Sequence, residues 1–123
     1  MIVPQSDYNV GITSVGSAVK TAMMLENTGV RAYDGAIAHL FGAKLLTAGA
    51  TIATVEARHA SYLNLLNRAV PFPSAFDEAV APKAICMAVQ DENGGSIVNS
   101  PEPYGPYKSL DALCARLPAS PTP

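Results

Sequence analysis

The segment Lys44-Leu-Leu-Thr-Ala-Gly-Ala-Thr-Ile-Ala-Thr-Val-Glu56-Ala-Arg-His59-Ala-Ser-Tyr-Leu-Asn-Leu-Leu-Asn-Arg68 decides the fold. Its apolar residues Leu45, Ala48, Ile52, Val55, Tyr62, Leu63 and Leu66 recur mostly at the spacing of a helix, with no proline and only Gly49 as a breaker. The pattern predicts a helix over 44–68. Two polar residues, Glu56 and His59, fall between Ile52 and Leu63 on the apolar stripe. Being three apart, they project from one side of one helical turn.

The same period extends upstream. Val15, Val19, Ala22, Met23, Val30, Tyr33, Ile37 and Leu40 predict a second amphipathic helix over 14–41, with Thr13, Ser14 and Ser17 as candidate N-caps. Gly29 and Gly35 lie in its interior; each costs about 1 kcal/mol relative to alanine, and each permits close approach of a neighbour. Gly42 reads as the C-terminal cap and Ala43-Lys44 as the rest of a short connection, which makes the two helices an antiparallel hairpin.

Downstream the chain changes character. Of 10 prolines only Pro4 precedes residue 70, so long helices are confined to the first part of the chain. Pro71-Phe72-Pro73 ends the second helix, and Phe72 and Phe76 are candidates to cap the open end of a core. Pro82 suits the first turn of a short helix over 82–91, stopped by Asn93-Gly94-Gly95. Residues 96–108, with Pro101, Pro103 and Pro106, read as extended coil. Ser109 caps a short helix to Arg116, and 118–123 reads as disordered. The expected organisation is a lead-in (1–13), a helical hairpin plus short helix (14–91) and a proline-rich tail (92–123). This is all-α, but only half of a four-helix bundle. A hairpin alone leaves a long apolar face in water.

Bulk composition narrows the function classes. The 123 residues are 49% apolar and 15% charged, with a net charge of −2. No cluster of Lys and Arg points to nucleic acid or an anionic membrane, and no stretch has the roughly 18–20 uncharged apolar residues of a membrane span. Met1 to Val10 lacks the pattern of a secretory signal, so the default compartment is the cytoplasm. Cys86 and Cys114 are either two thiols in a reducing compartment or one disulfide tying down the tail; their spacing does not choose.

Glu26 lies between Met23 and Val30, on the apolar stripe of the first helix. A carboxylate buried alone costs several kcal/mol unless it is paired, protonated or metal-bound. Glu-x-x-His on one helix, facing a glutamate on another, is a ligand pattern of carboxylate-bridged di-metal sites. Carboxylates suit hard or borderline divalent metals, and imidazole adds a terminal nitrogen. Glu26, Glu56 and His59 are therefore the candidate metal ligands; the alternative is a surface Glu56, Arg58 and His59 in solvated contacts. Tyr33 and Tyr62 lie on or near the seams, Tyr33 as a packed ring with a hydrogen-bonded hydroxyl. His39 suits a helix C-terminus. Arg58 should face away from Glu56, within reach of Asp34, and Met23-Met24 reads as core filler.

Thr21-Ala-Met-Met-Leu-Glu26-Asn-Thr-Gly29-Val-Arg-Ala-Tyr33-Asp-Gly35-Ala resembles the third bundle helix of the ferritin-like domain of desiccation-related and stress-response proteins. Leu46-Thr-Ala-Gly-Ala-Thr-Ile-Ala-Thr-Val-Glu56-Ala-Arg-His59-Ala resembles its fourth, and Pro71-Phe72-Pro73 with Ala75-Phe76-Asp77 resembles its exit from the bundle. The resemblance spans about residues 14–90. It implies that Glu26 matches the lone glutamate of the third helix, and Glu56 and His59 the Glu-x-x-His of the fourth. It implies a di-iron or di-manganese centre, with ferroxidase-like or di-iron oxidoreductase activity and a role in iron oxidation or oxidative and desiccation stress. The first two family helices have no counterpart here, so a homodimer or another helical partner would complete the bundle. Two alternatives stand beside this: a shortened product with an incomplete site, and a non-catalytic helical interaction or structural module.

Overall fold

The structure, a computed structural model, describes residues 7–8, 10–89, 98–99 and 105–122. Its elements in chain order are β1 (Asp7–Tyr8), α1 (Val15–Ile37), α2 (Ala43–Leu66), α3 (Pro82–Ala88), β2 (Val98–Asn99) and α4 (Leu110–Cys114). The fold is all-α and centres on the antiparallel pair α1 and α2. β1 and β2 add a two-residue antiparallel ladder, Asp7 opposite Asn99 and Tyr8 opposite Val98, where the sequence suggested only lead-in and coil.

Local chemistry sets the ends of the hairpin. Of the three candidate caps, Ser14 is the N-cap of α1: its hydroxyl accepts from the Ser17 N–H, and the Ser17 hydroxyl accepts from the Ser14 N–H, 2.8 Å away. This reciprocal capping satisfies donors that the first turn leaves free. The helix ends at Ile37, short of the expected 41, as the chain tightens through His39 N–H to the Ala36 carbonyl and Leu40 N–H to the Ile37 carbonyl. Gly42 is not the cap that ends α1. It is the N-cap of α2, with φ +91°, and its carbonyl accepts from the N–H groups of Leu45 and Leu46. The positive φ explains why glycine sits at this reversal.

Small residues bring the helices together. Val30 of α1 and Ala53 and Ala60 of α2 are buried, and Gly49 is covered by Leu40 and Ile37. Asn27 and Asn64 join the helices by amide–amide hydrogen bonds of 2.9 and 3.4 Å. Asn67 donates to the Val19 and Leu63 carbonyls. On the outer side of α1, the Val80 N–H donates to the Arg31 carbonyl at 3.1 Å, and the Val80 backbone lies directly on Gly35. Here the interior glycine does permit a close approach, by a loop.

The C-terminal part is a clasp. α3 begins at Pro82 as expected and ends at Ala88; the expected continuation to 91, the Asn93-Gly94-Gly95 stop and most of the proline-rich coil lie outside the described residues. Ser109 caps α4, which is shorter than the 109–116 expected. Cys86 and Cys114 form a disulfide, which settles the open choice. Within 118–123, expected to be disordered, the described residues 118–122 are held: the Lys83 N–H donates to the Pro118 carbonyl, and His39 Nε2 lies 2.9 Å from the Ser120 carbonyl.

The core of this single chain is thin. Among the described residues no large side chain is fully buried. Phe72 and Phe76, expected to cap the core, are 78% and 89% exposed; they line a surface cleft beside the hairpin rather than filling a core. Met24, expected in the core, is exposed as well.

Candidate metal centre

At 100° per residue, Val15, Val19, Ala22, Glu26, Tyr33 and Ile37 share one flank of α1, and Leu45, Ile52, Glu56, His59, Leu63 and Leu66 share one flank of α2. In the hairpin these flanks adjoin. Val15, Leu45, Ile52 and Leu66 on them are exposed, and the rest of the apolar set is at most half-buried. This is the open apolar face expected of half a bundle.

Glu26, Glu56 and His59 converge near its middle. One ligand atom from each can be chosen so that all lie within 4.8 Å of one another. Glu26 Oε1 is 3.3 Å from His59 Nδ1. Glu26 Oε2 is buried with no hydrogen-bond partner. The Glu56 carboxyl lies beside Glu26, and the favoured sharing of a proton with Glu26 holds it above the ordinary carboxylate range; burial and the Glu26 charge push the same way, and His59 opposes them. Two carboxylates cannot hydrogen-bond each other without a proton, so the pair calls for either a proton or a cation between them.

The position of Glu56 depends on a residue the sequence did not single out for this role. Gly29 of α1 faces Glu56, and a Cβ there would sit 3.1 Å from Glu56 Oε2. The Asn27–Asn64 pair, which ties the helices together next to the site, was also missed; the signal for it was an asparagine four residues after Ala60 on the α2 seam.

Other candidates lie elsewhere. Tyr33 is half-buried and Tyr62 exposed, and neither hydroxyl has a hydrogen-bond partner among the described residues, contrary to the expectation for Tyr33. Arg58 faces away from Glu56 but forms no ion pair with Asp34 among the described residues. It lines a cleft of about 500 Å³ on the opposite flank, with Arg31, Asp77 and Glu78.

A family model described as a ferritin-like domain matches residues 1–68, more than half of the chain and all three of these side chains. The chain belongs to the ferritin-like domain family. Its α1–α2 pair is the helical unit that this family membership leads one to expect, and the carboxylate–histidine group lies within the matched segment. No curated protein matches the chain in a sequence search. Among the described residues, no helix is long and apolar enough to cross a membrane.

Proposed function

We propose that this ferritin-like chain binds a divalent transition metal through Glu26, Glu56 and His59, and that two chains join through their open faces to complete a di-metal centre. The observation that carries the reading is the convergence of two carboxylates and an imidazole from two helices, with the buried Glu26 Oε2 lacking any partner. Oxygen and imidazole donors suit iron or manganese, and a cation would replace the proton the carboxylate pair otherwise needs.

Dimerisation is supported by arithmetic and by burial. A di-metal site of this type takes two lone glutamates and two Glu-x-x-His pairs, and one chain supplies half. A two-fold axis through the open face would supply the rest and cover Leu45, Ile52 and Leu66. Bound there, iron or manganese would supply redox and Lewis-acid chemistry suited to iron oxidation or to protection in oxidative or desiccation stress. The chain's own groups fix the ligands: α1 and α2 orient Glu26 against His59, and the apolar face excludes water once covered. The Cys86–Cys114 disulfide favours an oxidising compartment over the cytoplasmic default.

The exposed face also supports a second reading, a helical interaction module in which the three side chains form only a polar cluster. Bound metal separates the two. Purified protein should carry metal, and Glu56→Ala and His59→Ala should lose it; equal metal content in all three contradicts the metal reading.

A further inference from the structure

Three helix-interior glycines face a close neighbour, and they differ in what that neighbour is. A Cβ at Gly35 would overlap the Val80 backbone. A Cβ at Gly49 would lie 3.2 Å from Leu40 Cδ1 and 3.3 Å from Ile37 Cγ1. Both are packing positions. A Cβ at Gly29 would instead meet the Glu56 side chain, at 3.1 Å from Oε2, 3.4 Å from Cδ and 3.7 Å from Cγ.

Backbone conformation does not require this glycine. Gly29 is in the middle of α1 and is not among the residues with positive φ. Glycine there forgoes about 1 kcal/mol of helix stability relative to alanine. What its missing Cβ provides is room for a carboxylate. We propose that Gly29 is a positioning residue for the metal centre. It lets Glu56 lie against the α1 backbone with its carboxyl beside Glu26, and an alanine would force Oε2 away by a few tenths of an ångström. Metal–ligand distances tolerate only about 0.2 Å, so a shift of that size falls on binding before it falls on folding. The inference rests on the metal reading above.

The test is Gly29→Ala in wild-type and Glu56→Ala backgrounds, with Mn(II) titration and metal-free thermal unfolding as separate readouts. Mn(II) affinity should fall about tenfold or more, the scale for disturbing a ligand's supporting contacts. The gain in Tm from glycine to alanine should be larger in the Glu56→Ala background, where no carboxylate is displaced. Equal Mn(II) affinity in wild type and Gly29→Ala overturns the proposal, as does an equal Tm increment in both backgrounds. If the wild type takes up no Mn(II), the metal reading fails, while the Tm comparison still reports whether Gly29 makes room for Glu56.

Discussion

Glu26 of α1 and His59 of α2 meet across the hairpin, Oε1 to Nδ1, at 3.3 Å. The other Glu26 oxygen is buried without a donor, next to a second carboxyl. Leaving a buried carboxylate oxygen unpaired costs stability. Glu26→Gln removes one negative charge and offers an amide donor to Glu56. Metal-free stability should hold or rise by up to about 1 kcal/mol, the ordinary worth of a hydrogen bond, while metal content is lost. Chemical denaturation and metal analysis of the same preparation check both halves.

Gly35 tests the packing of the loop on the hairpin. Its substitution by alanine places a methyl group into the Val80 backbone, which cannot move like a side chain. Gly35→Ala should destabilise by about 1–3 kcal/mol despite the better helix propensity, the usual cost of overpacking. Thermal unfolding beside Gly16→Ala, where a Cβ would meet only Ser14 Oγ at an ordinary 3.9 Å, gives the comparison.

The tail depends on the disulfide. Cys86 and Cys114 are 28 residues apart in sequence, and closing a loop of that length is worth about 3–4 kcal/mol in the chain-entropy account. Reduction should lower stability by up to that amount. It should also raise amide exchange in 109–122, where Pro118 and Ser120 are held, while α1 and α2 stay protected from exchange.

Asp34 gives a pH dependence away from the Glu26–Glu56–His59 cluster. Burial first, and then the Asp77 charge, hold its carboxyl above the ordinary 3.8. Between the unfolded and the raised folded value the native state binds more protons than the unfolded one. Stability therefore falls as pH rises through that window, and the penalty is fully present at pH 7. Asp34→Asn should raise Tm at pH 7, and the gain should shrink toward pH 3. A gain independent of pH would show another cause.

The hairpin was legible because two apolar stripes ran at helical period through a part of the chain free of proline. The convergence of Glu26, Glu56 and His59 was legible because the three interrupt those stripes. What the sequence hid depended on contacts between distant segments. The role of Gly42 turned on its φ, since a glycine between two helices can close one or open the next. The disulfide and the docked tail needed α3 and α4 to be placed together. Phe72 and Phe76 looked like core residues because ring chemistry predicts burial, but they end up exposed, on the wall of a surface cleft beside the hairpin. Gly29 read as an interior glycine that permits a close approach, but which group makes that approach, the Glu56 side chain, depended on the packing of the two helices.

The most direct test of the central claim is the mass and metal content of the intact chain in solution, measured by native mass spectrometry after anaerobic loading with Fe(II) and again after chelation. A dimer holding two metal ions, which gives them up on chelation and in the His59→Ala variant, is the predicted result. The same metal-free species under every condition would contradict it.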